Sequence, residues 1–130
     1  MKGIRVRSVL AAVLAAALAQ LSCAALDKAI ESPRIDGDTV VFRYLSPSAR
    51  TVQVAGEWNN WSAGDAGQGE VLVGLMERDE RGLWTIAVEL PPGRHRYWFV
   101  INETGRVLDP ANPRVTEDPW GGKASLCIVP

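Results

Sequence analysis

The chain of 130 residues is the size of one domain and leaves no room for two. Its 14 Lys and Arg stand against 15 Asp and Glu, and 47% apolar with 22% charged residues is an ordinary globular composition, which excludes a disordered tail and a basic nucleic-acid binder. One His and two Cys are too few for a structural zinc site or a disulfide framework, so no metal, cofactor or redox chemistry is expected.

Lys2, Arg5 and Arg7 open the chain, an apolar run follows from Val9 to Ala19, and small residues gather at Ser22, Cys23 and Ala24. This is the three-part pattern of a secretory leader, and the run is shorter than the roughly 20 apolar residues of a membrane span. Residues 1–22 are therefore expected to be a signal peptide and the protein to be exported. Without them 108 residues remain, 11 basic and 15 acidic, which moves the chain further from phosphate and anionic membranes. Leu21-Ser22-Cys23 resembles a bacterial lipoprotein box with Cys23 as the lipidated N-terminus, although Gln20 stands where an aliphatic residue is usual. The alternative is ordinary cleavage at a nearby small-residue site, which removes Cys23 or leaves it free to pair with Cys127. The expected location is the periplasm or, with Cys23 acylated, the cell envelope, the lipid being the only membrane contact.

Residues 23–38, with mixed charges and Pro33, read as a tether, and residues 39–130 as the domain. Thr39 to Leu45 and Thr51 to Ala55 are β-branched and aromatic runs parted by a turn-rich SPSA, which predicts two neighbouring strands. Val71 to Met76 and Leu83 to Leu90 follow, divided by ERDERG. Pro91-Pro92-Gly93 turns the chain into Arg94 to Ile101, Asn102 to Gly105 is a hairpin loop, Val107-Leu108 a short return, and Ser125 to Val129 the closing strand. No segment of the domain keeps a helical period over three turns. About seven short strands with regular turn signals predict an all-β fold, a small antiparallel β-sandwich.

Strand alternation sorts the side chains. In Arg94 to Ile101 it puts Tyr97, Phe99 and Ile101 on a core face and Arg96, Trp98 and Val100 on the other. In Leu83 to Leu90 it makes Trp84, Ile86 and Val88 a second core stripe. Trp61 follows Asn59-Asn60 in a loop and Trp120 lies in the turn-forming DPWGGK, so Trp61, Trp98 and Trp120 are expected at the surface. Together they suggest an apolar platform rimmed by indole N–H groups, suited to the C–H face of a pyranose. Cys127, in an alternating apolar tail, reads as a buried strand thiol.

The runs VQVAGEWNNWS, GLWTIAVELPPGRHRYWFVINETGRVLDP and EDPWGGKASLCIV resemble carbohydrate-binding module family 48, the glycogen-binding domain of AMP-activated protein kinase beta subunits and of branching and debranching enzymes. The resemblance spans Thr39 to Val129. It implies an immunoglobulin-like, early-set sandwich that holds α-1,4-linked glucans such as glycogen, starch or maltodextrin without cleaving them. It further implies that Trp61 is the principal stacking tryptophan, that Trp98 takes a position often held by a lysine or another sugar-contacting residue, and that Trp120 lies in the late loop that reaches the glucan in the kinase members. Arg106 stands where kinase members have a second stacking tryptophan, and Ala124 replaces an asparagine that bonds sugar hydroxyls.

Catalysis finds little support. Glycoside hydrolysis needs two carboxylates about 5–9.5 Å apart across a cleft. Glu57, Asp65, Glu70, Asp109, Glu117 and Asp118 lie mostly in polar loops where solvated charge is expected, and Asp109-Pro110 reads as a turn device. His95, the one imidazole, points with Tyr97 toward the core and has no nucleophile motif beside it. Asn60-Trp61-Ser62 and Asn102-Glu103-Thr104 match glycosylation sequons, chance matches behind a bacterial-type leader. Two functions remain. The first is a non-catalytic glucan-binding module whose site is Trp61, Trp98, Trp120 and Arg106. The alternative is an envelope protein-interaction or structural module that uses the same aromatics as anchors for another envelope protein.

Overall fold

The apolar alternation becomes nine strands among residues 30–62 and 72–130, the part of the chain that a computed structural model describes. In chain order they are β1 (Arg34–Asp36), β2 (Thr39–Leu45), β3 (Val52–Gly56), β4 (Glu77–Arg78), β5 (Leu83–Glu89), β6 (Gly93–Ile101), β7 (Gly105–Val107), β8 (Val115–Glu117) and β9 (Lys123–Val129). One antiparallel sheet runs β1-β2-β5-β4. The other runs β3-β6-β9-β8, with β7 also paired to β6. The leader, Cys23, most of the tether, and the acids Asp65 and Glu70 lie outside the described residues.

The two sheets share one core. Val40 and Phe42 of β2 and Trp84 of β5 meet Val52 and Val54 of β3, Tyr97 and Phe99 of β6, and Cys127 and Val129 of β9. Ring contacts cross between the sheets, with Phe42 and Tyr97 centroids 4.7 Å apart and Tyr44 and Phe99 5.2 Å apart. The core faces read from alternation on β5 and β6 are the ones that pack. Burial raises the Cys127 thiol to about 11, which leaves it an inert strand residue at neutral pH.

Several local expectations are corrected. β2 and β3 do not pair but lie in opposite sheets, because residues 46–51 cross the roughly 10 Å between sheets instead of closing a hairpin. Val71 to Met76 is not a strand in its described part. Met76 N–H donates to Val52 O and Gly74 O accepts from Val54 N–H, so the run makes only a single bridge to the β3 edge at Leu75, and Glu77–Arg78, inside the expected connection, pairs with β5. Gly74 at φ +71° turns there against the Val54 carbonyl, where a Cβ has no space. The last part of the tether is not free either: Arg34–Asp36 forms edge strand β1 on β2. The strand β8, in the polar run Val115–Glu117, was not expected.

Asp109 opens the expected turn, its carbonyl accepting the Asn112 amide at 3.2 Å, but its charge is not solvated. It is 2% exposed and accepts the Tyr97 hydroxyl proton at 2.7 Å and the Ala111 amide at 3.0 Å, while its own amide donates to Ser125 Oγ at 2.9 Å. Asn112 completes the group by donating to Tyr97 Oη and to the Leu126 carbonyl. Burial holds the Asp109 carboxyl above its ordinary range, against the hydrogen bonds that lower it. The network stitches β6, the β7–β8 connection and β9 together, and so fixes the strands that carry the opposite face.

Candidate functional site

β3 ends in a 3-10 turn, Glu57–Ser62, whose conformation decides where two tryptophans go. Asn59 braces it: its Oδ1 accepts from the amides of Gly56 (2.9 Å) and Ser62 (3.3 Å), and its Nδ2 donates to the Val54 carbonyl at 2.9 Å. Asn60, Trp61 and Ser62 all have positive φ, 54°, 58° and 53°. Left-handed backbone costs about 1–2 kcal/mol per non-glycine residue, so the turn is held by this bonding against its own preference. Trp58 goes inward and stacks on Phe42 at 5.6 Å, over Gly56, where a Cβ would enter its ring. Trp61 goes the other way, onto the outer face of the β3-β6-β9-β8 sheet. The inward Trp58 carried no recognisable sequence signal beyond the glycine two residues before it.

On that outer face Trp98 sits in β6 opposite Ala55 of β3 and against Ala124 of β9, both fully buried. Trp61 lies 4.3 Å from Trp98 between ring centroids at 38°, and 5.5 Å from Trp120 at 70°; Trp98 and Trp120 are 5.9 Å apart. The Arg106 guanidinium rests 4.6 Å over the Trp98 ring. The four residues singled out from the sequence, Trp61, Trp98, Trp120 and Arg106, thus form one cluster. One expectation fails: Trp98 is 5% exposed, because the rings of Trp61 and Trp120 and the guanidinium cover it, whereas Trp120 is 65% exposed. Beside the cluster a shallow cavity of about 200 Å³ is lined by Trp61, Trp98 and Arg106, though not by Trp120, together with Gln53, Glu103 and Thr104. Alternation in VQVA could have placed Gln53 there, since it shares the face of Ala55.

Acidic residues here serve as braces. Asp118 Oδ1 accepts from the Trp120 amide at 2.7 Å and the Gly122 amide at 2.9 Å, which shapes the loop that carries Trp120. Desolvation pushes its carboxyl up, but those amides and the nearby Arg106 and Arg96 bring it below the ordinary aspartate range. Glu57 bonds Arg96 Nε at 2.6 Å, which lowers its pKa, and Arg96 Nη1 donates to the Glu117 carbonyl, tying the 3-10 turn to β6 and β8. His95 shares the face of Tyr97, as expected, with Nε2 2.7 Å from the Pro91 carbonyl.

These lowered carboxyls set a pH dependence. A depressed folded-state pKa contributes stability above the ordinary value, 4.5 for Glu57 and 3.8 for Asp118, and that contribution is lost as pH falls below it. Acidification from about pH 5 to about pH 2.5 is expected to shift tryptophan emission before the far-ultraviolet spectrum changes. Asp118→Ala is expected to show part of that shift at neutral pH; emission unaltered by both would contradict the bracing role.

The family model described as the glycogen recognition site of AMP-activated protein kinase matches residues 39–122. The chain belongs to this family. The matched span of this glycogen-recognition domain runs from the start of β2 to the Trp120 loop and contains all four residues of the cluster. Among solved structures it is similar to an alpha-amylase-like protein from Salmonella typhimurium, with a TM-score of 0.53 and 24% identity over 77% of this chain. The match covers 15% of that longer protein, and the likeness is one of fold. No curated protein sequence matches this chain.

Proposed function

We propose that this domain is a non-catalytic module that binds α-1,4-linked glucans, glycogen, starch or maltodextrin, on the outer face of the β3-β6-β9-β8 sheet. The observation that carries the reading is the gathering of Trp61, Trp98 and Trp120 with Arg106 on one face of a glycogen-recognition domain. Trp61 and Trp120 meet at 70°, a corner that suits a curved α-1,4 chain better than a flat β-1,4 ribbon. Indole rings offer apolar area to sugar C–H groups and an N–H to hydroxyls. Arg106 and Thr104 supply further polar groups at the rim. Asp118 is committed to backbone amides and Glu57 to Arg96, so among the described residues the cavity is lined by a single carboxylate, Glu103, where glycoside cleavage uses a pair, which supports binding without cleavage. On the same footing we assign the sandwich to the immunoglobulin-like early-set type.

Retarded migration in native gels containing glycogen or amylopectin, with unchanged migration in cellulose, is the expected result. Equal migration of the folded protein in all of them would contradict glucan binding and favour the protein-interaction role.

We further propose that the protein is exported and that Cys23 is its lipidated N-terminus. Cys23→Ser is expected to move it from the membrane to the soluble fraction of the native host, since acyl chains supply the anchoring free energy. Unchanged partitioning, or a mature chain that begins after Cys23, would contradict it.

A further inference from the structure

We propose that Trp98 is a positioning residue: it sets the angle between Trp61 and Trp120, the sugar-facing pair, and offers the glucan no free ring face to stack on. The inference rests on the glucan-binding reading, and its test separates the two.

Alternation places Trp98 on the outer sheet face, where a tryptophan would ordinarily stand exposed. It is 5% exposed because both its floor and its flanks are filled. The floor is Ala55 and Ala124, short side chains on the two strands that flank β6, which leave room for an indole against the sheet. The flanks are Trp61 at 4.3 Å, Trp120 at 5.9 Å and the Arg106 guanidinium at 4.6 Å. A pyranose cannot stack on Trp98 without displacing one of them. Trp61 and Trp120, by contrast, come from separate loops and share few supports. One rides on a left-handed turn and the other on the Asp118 loop. The ring both of them touch is Trp98. Arg106 is placed by the same ring, so the residue also locates the guanidinium donors beside the cavity.

Binding should therefore depend on a ring at position 98 on which the ligand does not stack. Trp98→Ala is expected to weaken maltoheptaose binding about tenfold or more, since a site whose support is removed loses its geometry, while Trp98→Phe retains most of the affinity. The deciding measurement is a set of intermolecular nuclear Overhauser effects between maltoheptaose and the wild-type protein. Contacts from glucose C–H protons to the indoles of Trp61 and Trp120 are expected to be stronger than any to the edge of Trp98, which lines the cavity; contacts to Trp98 as strong as those to Trp61 would overturn the inference. A second arm needs no ligand. In folded Trp98→Ala the Overhauser contacts between the indole protons of Trp61 and Trp120, whose rings lie 5.5 Å apart in the wild type, should weaken or vanish, and in Trp98→Phe they should persist. Contacts between the two indoles unchanged in Trp98→Ala would overturn the positioning role. Should the wild type show no contact to any sugar while this second arm holds, glucan binding fails and the positioning role stands.

Discussion

Trp61→Ala is expected to remove maltoheptaose binding while the domain stays folded. The ring is half-buried at the surface and contributes the most accessible stacking area on the turn, whereas the turn itself is held by Asn59 and Ser62 rather than by the indole. Truncating an aromatic anchor at the centre of a binding patch costs about 2 kcal/mol or more, roughly 30-fold in affinity. The change in stability should stay within about 1 kcal/mol, since the substitution opens no core cavity. Trp61→Gly makes the point sharper. It loses the same ring but suits φ 58° better, so it should bind no better than Trp61→Ala while unfolding at an equal or higher temperature. Calorimetric titration with thermal denaturation checks both; a variant that binds like the wild type would take Trp61 out of the site.

Trp84→Ala is expected to do the reverse. Trp84 is 5% exposed within the shared core, and its indole N–H donates to the Ser46 carbonyl at 2.9 Å, at the point where the chain leaves β2 to cross between sheets. Its deletion leaves a cavity and an unpaired carbonyl, a loss of about 3–5 kcal/mol. Domains of this size hold about 5–15 kcal/mol in all, so the midpoint should fall by about 15–30 °C. Where the variant is still folded, its glucan affinity should be that of the wild type, because Trp84 lies in the other sheet. A loss under about 1 kcal/mol in urea unfolding would contradict the core assignment.

What the sequence disclosed follows from the range of the physics involved. Alternation is local, and it placed Tyr97, Phe99, Trp84 and Ile86 on the core side, where they pack. Pairing is not local: a short turn after Leu45 reads the same whether it closes a hairpin or crosses the sandwich, so β2 and β3 were taken as neighbours. The turn at Asp109 is legible in the sequence, but its burial is not, because its partners, Tyr97 and Ser125, arrive from other strands. The burial of Trp98 has the same origin, since its cover comes from two distant loops. Trp98, Arg106 and Ala124, each a separate departure from the family pattern in the sequence, prove to adjoin one another: the large ring at 98 lies against the small residue at 124 and under the guanidinium at 106.

Isothermal titration of the folded wild-type domain with maltoheptaose tests the glucan-binding account most directly. A shallow aromatic corner without the sugar-bonding asparagine predicts a measurable heat and a free energy of about −4 to −6 kcal/mol, a dissociation constant between roughly 1 mM and a few tens of micromolar. No heat at tens of millimolar sugar, from protein shown to be folded, would contradict it.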